Sequence, residues 1–294
     1  VEVLELADTI TVIRDGVSIE SKRRNQWNHD TIVAAMVGRE IKDLFPRRLS
    51  TKGAPLLRVE NLTTHQLEEI HFEVYAGEVL GIGGLMGAGR SELLMHLFDG
   101  QDQRQSGQVF LNGKPHNQPS ARVSIDRGLI MVTEDRKKLG LILDESVAFN
   151  MSLSHLQEFV RGGFINPFIE MKTNRQFASQ LKIKAHDLSM PVGELSGGNQ
   201  QKVVLAKAMM TEPHVVFLDE PTRGIDVGAK VEVYELINEL TDNGKAVVLV
   251  SSEMPELLGM SDRVLILSNG KISGEFDPQS TNQQQLLQAA MKFN

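Results

Sequence analysis

The chain has 294 residues, of which 41% are apolar and 23% are charged, and this length is enough for about two domains of an ordinary globular protein. Its formal net charge of -7 argues against a general binder of nucleic-acid backbones, and the lack of cysteine in this sequence excludes a disulfide framework and a thiolate metal site. No run approaches the roughly 18 to 20 apolar residues that cross a bilayer, so any membrane is expected to be reached through a partner.

The first residues of the chain repeat its last ones. The matched pairs lie 254 positions apart and are Glu2 with Glu256, Leu4 with Leu258, Asp8 with Asp262, and Gly16 with Gly270. After one residue of slippage, residues 34–36 match residues 289–291. Both copies predict a helix end, a strand and a tight turn, at Asp15-Gly16 in one and at Asn269-Gly270 in the other. The alternative is a pair of unrelated hairpins followed by helices.

The repeat predicts three segments. We interpret residues 1–38 as the C-terminal tail of a first module and residues 56–294 as a second module. Residues 39–55 carry charges and prolines without sustained periodicity, which is typical of a linker. A chain that opens on Val1 rather than on methionine is expected of a fragment.

A phosphate-binding loop is predicted early in the second module. Residues 56–62 alternate like a strand, and residues 79–82 form an apolar strand that leads into a glycine-rich loop and a helix. Strand, glycine loop and helix form the context of a P-loop. The predicted nucleotide-binding residues are Gly84, Gly87, Ala88, Gly89, Arg90, Ser91 and Glu92. The alternative is a glycine turn that merely ends a strand.

Two positions of this loop decide its chemistry. Ser91 stands at the position that ligates Mg²⁺. Arg90 stands where the motif has lysine, and a planar guanidinium can pair with phosphate oxygens but is not expected to reach between the β- and γ-phosphates in the same way. The sequence therefore predicts that this loop binds nucleotide and does not hydrolyse it rapidly.

The middle of the chain predicts a strand, a charged loop and a helical region. Residues 129–132 read as a core strand that leads to Glu134, and the charges that follow could equally be a solvated run. Residues 147–191 have a helical pattern. Apolar residues around positions 164–168 could form a docking surface, but burial in the core is the safer interpretation from sequence alone.

The strongest chemical signal is in residues 195–226. A Ser-Gly-Gly turn precedes a helical pattern, and such a turn offers open backbone N–H groups and a positive helix end to a phosphate. Residues 215–218 form an apolar run that suits a strand buried in a parallel sheet, and Asp219 and Glu220 follow it. In a nucleotide hydrolase, Asp219 would hold Mg²⁺ through a water and Glu220 would act as general base. For the dipeptide alone, a solvated strand end would be the simpler interpretation.

Together these stretches closely resemble the signature sequence and Walker B strand of ATP-binding-cassette (ABC) ATPases. The resemblance implies an α/β P-loop NTPase fold with a mixed sheet core, an antiparallel β subdomain and an α-helical subdomain at about 147–191. It implies Glu134 at the Q-loop position, Asp226 in the D-loop that crosses the dimer interface, and Ser252 where the family has a switch histidine. The signature residues that would close over nucleotide held by the opposite module are Leu195, Ser196, Gly197, Gly198, Asn199 and Gln200. His65 is the nearest substitute for the aromatic residue on which adenine stacks.

Two modules in one chain, with these motifs, resemble the tandem ATPases of bacterial monosaccharide importers of the ribose and galactose type. This implies ATP and Mg²⁺ as cofactors and the cytoplasmic face of the bacterial inner membrane as the location. The implied partners are the first ABC domain of the same chain, transmembrane permease subunits and, indirectly, a periplasmic sugar-binding protein, with no nucleic acid. Arg90, Glu134 and Ser252 depart from the family pattern, while the signature is intact. We therefore expect the nucleotide site on this module's own P-loop to be degenerate. The signature is expected to be a competent lid over nucleotide held by the partner module.

Two alternatives stay open from the sequence. One is a regulatory half that binds nucleotide without turnover. The other is a soluble tandem ABC protein that acts on the ribosome or on DNA, against which the acidic charge and the absence of basic arms count.

Overall fold

The computed structural model describes residues 2–14, 17–28, 31–32, 35, 44–46 and 51–293. Its strands are β1 (Thr9–Arg14), β2 (Val17–Arg23), β3 (Pro55–Thr63), β4 (Ile70–Tyr75), β5 (Val79–Gly84), β6 (Ser106–Leu111), β7 (Lys114–Pro115), β8 (Leu129–Val132), β9 (Val160–Arg161), β10 (Phe164–Ile165), β11 (Val215–Asp219), β12 (Ala246–Val250), β13 (Arg263–Ser268) and β14 (Lys271–Phe276). Its α-helices are α1 (Glu2–Leu6), α2 (Arg90–Asp99), α3 (Ala121–Asp126), α4 (Val147–Ser152), α5 (Pro167–Gln180), α6 (Gly197–Met209), α7 (Val227–Asp242), α8 (Met254–Met260) and α9 (Gln283–Ala290). A π-helical turn spans Arg136–Gly140.

A six-stranded mixed sheet forms the centre, in the order β14-β13-β5-β12-β11-β8. Its strands run parallel except β14, which is antiparallel to β13. Every residue of β5, β11 and β12 is buried, as expected of parallel strands that are covered on both faces. The apolar runs at 79–82 and 215–218 therefore predicted β5 and β11 correctly.

Alternate residues of the central strands enter two different cores, because successive side chains of a strand point to opposite faces. Val216 and Leu218 pack with helices α6 and α7. Val215 and Phe217 pack instead with α2 and with the antiparallel sheet, whose order is β4-β3-β6-β7. The mixed core, the antiparallel subdomain and the helical subdomain confirm the predicted fold class.

The region predicted as helical over 147–191 contains a short hairpin. Strands β9 and β10 pair across Gly162 and Gly163, whose φ angles of 61° and 86° lie in the left-handed region that glycine enters without strain. The helical prediction is therefore wrong at 160–165. Phe164 is 81% exposed and Phe168 84%, so the expectation that these side chains are buried in the core is also wrong.

The two copies of the predicted repeat have the same hairpin geometry. Strand β1 pairs with β2 in the register in which β13 pairs with β14, and both hairpins have an irregularity at matching positions, after Val12 and after Ile266. They differ at the other edge: β13 pairs with β5, whereas among the described residues β1 pairs with β2 alone. As a result Ile13 is 65% exposed, while its counterpart Leu267 is buried. The turn at Asp15-Gly16 and residues 34 and 36 lie outside the described residues.

Part of the predicted linker lies against the second module. The Phe45 ring centroid lies 5.5 Å from that of Tyr234, and the Asn238 side chain donates to the Pro46 carbonyl. A Cβ at Gly259 would lie 2.4 Å from Phe45 Cγ, so Gly259 provides the space for this ring. The division of the chain into a first module, a linker and a second module stays a prediction.

Candidate functional site

The glycine loop between β5 and α2 leaves an open helix N-terminus. Gly84 ends β5, and a Cβ there would lie 2.5 Å from the Leu267 carbonyl oxygen. Gly89 precedes α2 with a φ of 99°, and no side chain caps the helix there. The N–H groups of the first helical turn are consequently available to an anion. The strand, glycine loop and helix are therefore present as predicted, and phosphate binding by this loop stays a prediction.

Asp219 lies at the carboxyl end of β11 and is fully buried. Among the described residues, neither of its carboxylate oxygens has a hydrogen-bond partner. Burial raises the pKa of Asp219, while the nearby Ser91 hydroxyl and Arg90 guanidinium lower it. A buried carboxylate without partners is costly unless a ligand completes it. Hydroxyl and carboxylate oxygens are donors that suit Mg²⁺, so Ser91 and Asp219 fit the predicted ion.

Glu220 has both carboxylate oxygens engaged. The Arg90 guanidinium is 3.4 Å from Oε1, and the Ser252 hydroxyl donates to Oε2 over 3.1 Å. The ends of β11 and β12 are neighbours, which brings Glu220 and Ser252 together. Burial raises the pKa of Glu220, and the Arg90 cation and the Ser252 hydroxyl act in the opposite direction. The predicted general base thus forms an ion pair with the P-loop itself.

Glu134 is directed towards the D-loop. It follows β8 and forms an ion pair with Arg223, which lies three residues before Asp226. Asp226 caps α7, because its Oδ1 accepts the N–H of Ala229 over 3.0 Å. Both predicted residues therefore lie next to the segment that follows Glu220.

The signature turn opens α6. Ser196 is exposed and is the N-cap, and its hydroxyl accepts the Nδ2–H of Asn199 over 3.0 Å. Leu195 is buried, and its carbonyl accepts from the buried Gln200 side chain over 3.1 Å. A Cβ at Gly198 would lie 2.8 Å from Ala229 Cβ, so α6 and α7 approach closely there.

The predicted residues thus form two groups. Around the P-loop, the structure brings Arg90 to Glu220 and Glu220 to Ser252. In the second group, the signature turn lies against the D-loop and the start of α7. Within the part of the chain that is described, no hydrogen bond joins the signature turn to the P-loop.

A cavity of about 640 Å³ adjoins the P-loop. Gly87, Gly89 and Glu92 line one side of it, and the loop that contains His65 lines the other. His65 Nδ1 lies 3.3 Å from the Gln105 side chain, which also faces the cavity. The sequence had suggested His65, but it gave no signal for Gln105.

Glu256, which the sequence motifs did not single out, is fully buried. Its Oε1 accepts from the Thr222 hydroxyl over 2.7 Å and from the Tyr234 hydroxyl over 2.8 Å. These bonds join α7 and α8 to the segment just after Glu220. The signal available was the match of Glu256 with Glu2 in the repeat, because a carboxylate within an apolar helix pattern needs a partner.

Comparisons with known proteins agree with this geometry. The family described as ABC transporter matches residues 67–223. The chain is 45% identical to a ribose import ATP-binding protein, RbsA, of Geobacillus kaustophilus, over 100% of this chain and 59% of the relative. It is 42% identical to a xylose import ATP-binding protein, XylG, of the same organism, over 98% of this chain and 59% of the relative. The chain thus spans less than two thirds of the length of these relatives.

Solved structures have the same fold. The ADP conformation of MJ1267, an ATP-binding cassette of an ABC transporter, has a TM-score of 0.64 at 20% identity, over 80% of this chain and 94% of that one. The dimeric post-hydrolysis state of the ATP-binding cassette MJ0796, bound to ADP and Pi, has a TM-score of 0.65 at 19% identity, over 77% of this chain and 100% of that one. Among the described residues, no helix is long and apolar enough to span a bilayer.

Proposed function

Because this chain belongs to the ABC transporter family, we propose that it is the second nucleotide-binding half of an ATPase that powers the import of a simple sugar. The relatives' names support a pentose such as ribose or xylose as cargo, and the sequence motifs had suggested ribose or galactose. Residues 1–38 would be the tail of a first ABC domain, 39–55 a linker and 56–294 the second domain. The shared hairpin register of β1–β2 and β13–β14 supports this division.

The ion pair between Arg90 and Glu220 is the observation that carries the proposal. These side chains are only 13% and 10% exposed, so water screens them weakly. A base that is paired with a cation and bonded to Ser252 is poorly placed to accept a proton from water. We therefore infer that the site on this P-loop binds nucleotide and turns it over slowly. When bound there, Mg²⁺ would neutralise phosphate charge, with Ser91 and Asp219 as the residues that hold it.

The exposed signature turn supports the second part of the proposal. Ser196 faces solvent as the N-cap of α6, and the positive end of that helix suits phosphate oxygens supplied from outside this module. The chain would act as the lid for nucleotide held by the first ABC domain. Transmembrane permease subunits and, through them, a periplasmic sugar-binding protein would be the partners, at the cytoplasmic face of the inner membrane.

The test compares two variants of the full tandem protein. S196R places a bulky cation at the signature turn. We expect it to lower steady-state ATPase activity by about a hundredfold, because losing one group that stabilises the transition state typically has an effect of this size. E220Q alters only the slow site and is expected to change the rate by less than about twofold. The opposite ranking would contradict the proposed asymmetry.

The ion pair also favours a second candidate, a regulatory half without turnover. The two are separated by single-turnover hydrolysis at the second site, in a tandem protein whose first site has been disabled. Slow product formation that E220Q abolishes supports the ATPase. Nucleotide binding without any product supports the regulatory half.

A further inference from the structure

The segment that follows β8 contacts both the D-loop and helix α6. It contains the π-helical turn Arg136–Gly140, whose start is fixed because the Asp135 carboxylate accepts the N–H groups of Lys137 and Lys138 over 3.2 Å each. One end of this turn lies beside the D-loop. The other end lies against α6.

Arg136 makes the contact with the D-loop. Its Nη1 donates to the Arg223 carbonyl over 3.1 Å, and its Nη2 donates to the Gly224 carbonyl over 3.5 Å. The ion pair between Glu134 and Arg223 joins the same two segments a second time. A planar guanidinium can hold two successive carbonyls in a way that a single ammonium cannot.

The same guanidinium borders the signature turn. A Cβ at Gly197 would lie 2.9 Å from Arg136 Nη2 and 3.3 Å from the Gly224 carbonyl oxygen. Arg136 therefore fills the space between the D-loop carbonyls and the first residue of α6. At the other end of the π-helical turn, Lys207 of α6 donates to the Gly140 carbonyl.

We propose that Arg136 is a positioning residue that holds the signature turn, residues 195–199, and the D-loop, residues 223–226, in one fixed relation. Its role depends on the proposed function, since a rigid signature turn matters only if the turn closes over nucleotide. Arg136 acts through backbone carbonyls, and among the described residues it has no hydrogen bond with Arg90, Glu220 or Ser252. A lid that is already ordered loses less conformational entropy on closure, which raises the population of the closed dimer.

Hydrogen exchange of the chain itself tests the coupling without any assumption about transport. The reporters are hydrogen-bonded amides in or next to the two segments: Asn199 and Gln200, which bond to Ser196, Arg223 in the D-loop, and Ala229, which bonds to Asp226. In R136A we expect all four to exchange about tenfold faster, because local opening becomes easier. K137A is the matched control, since Lys137 is the next residue, is exposed and carries the same charge. R136K should restore part of the protection.

Equal exchange in wild type and R136A would overturn the proposal. So would faster exchange in only one segment, because the coupling requires both. A general increase in exchange across the central sheet of R136A would indicate global destabilisation, and R136K would then decide. If R136K keeps the wild-type unfolding midpoint and exchanges faster only in the two segments, the proposal stands. If R136K shows no such selective increase, the proposal is overturned.

ATPase measurements on the tandem protein separate this proposal from the proposed function. We expect R136A to lower kcat by about tenfold with KM nearly unchanged, and K137A to match wild type. If S196R abolishes turnover and R136A does not lower it, the positioning role is wrong and the lid function stands. If S196R leaves turnover unchanged, the lid function is wrong, and the exchange experiment alone then decides whether Arg136 couples the two segments.

Discussion

At the scale of single residues, the site contains buried charges that oppose folding. Asp219 is fully buried without a hydrogen-bond partner in the described structure, and Glu220 is largely enclosed. Such groups persist at functional sites because a ligand completes them. Arg90 partly compensates Glu220, which a P-loop lysine directed at phosphate would not do. Having Arg90 in place of the lysine of the P-loop motif thus changes the partner of the cation as well as the shape of the cationic group.

Neutralising Asp219 should stabilise the chain. We expect D219N to raise the free energy of unfolding at neutral pH by about 1 kcal/mol, because it removes a buried charge. Burial raises the pKa of Asp219, so wild type gains stability as the pH falls through that pKa. The advantage of D219N should therefore shrink in acid. Urea unfolding measures the free energy of unfolding of each variant, with D226N as the control at an exposed helix cap. An equal gain in D219N and D226N would contradict the explanation.

Glu92 belongs to the predicted P-loop, but the charge of its carboxylate should weaken nucleotide binding there. It is exposed in the first turn of α2 and lines the cavity beside the loop, where its charge opposes phosphate. We expect E92T to raise the affinity of the chain for a fluorescent ATP analogue by roughly fivefold, equivalent to about 1 kcal/mol. E158T makes the same change of charge at an exposed site in the helical subdomain. A similar gain in both variants would indicate a general charge effect.

At the scale of elements, a buried polar cluster supports the end of the P-loop helix. His96 of α2 and His116 after β7 are both buried. His116 Nε2 lies 3.2 Å from the Leu97 carbonyl oxygen, and Arg104 contacts both histidine residues. Burial lowers the pKa of each histidine, since protonation would place a charge beside Arg104 in a desolvated region.

These histidines should make the chain sensitive to acid. Their folded pKa values lie below the ordinary 6.5, so their contribution to stability is full above about pH 6.5 and is lost as the pH falls towards the folded values. We expect the free energy of unfolding to decrease between about pH 7.5 and 5.5. H116Q should make this decrease shallower, because glutamine can donate to the Leu97 carbonyl without titrating. H186Q, at an exposed histidine, should leave the slope unchanged, and a flat wild-type profile would contradict the argument.

At the scale of the whole molecule, two surfaces are more apolar than an isolated domain requires. One is the edge of the first hairpin, where Ile13 is exposed although its counterpart Leu267 is buried against β5. The other is the docking surface, which we define as Phe164, Ile165, Phe168 and Ile169 of the helical subdomain. Exposed apolar clusters of this kind are typical of interfaces. Under the proposed function, a permease subunit is the partner that we expect at the docking surface.

The docking surface should contribute to permease binding and little to folding. Since Phe164 and Phe168 are more than four-fifths exposed, we expect the double variant F164S/F168S to change the free energy of unfolding by less than about 0.5 kcal/mol. The same variant should lower the amount of permease that co-purifies with the tandem protein. F159S is the contrast, because Phe159 is buried and its loss should cost about 3 kcal/mol. Unchanged co-purification with F164S/F168S would exclude this surface.

The sequence by itself determined the elements and the order of the motifs. Apolar runs predicted the central strands, the glycine loop between a strand and a helix predicted the P-loop, and the repeat predicted a hairpin whose register recurs in the structure. Each of these features depends on residues that are close together in the sequence, so the local pattern of residue types predicts it. Periodicity failed at 160–165, where two glycines form a turn within an otherwise helical pattern.

Only the tertiary structure decided which side chains meet. Arg90 and Glu220 are 130 positions apart, and Arg136 reaches carbonyls 87 and 88 positions away. Such contacts depend on strand order, here β5-β12-β11-β8, which brings the ends of distant segments to one edge of the sheet. Exposure was likewise undetermined, because Phe159 and Phe164 are the same residue type and differ only in what packs over them. Residue identity supplies the chemistry of this site, and the path of the chain decides which groups can act together.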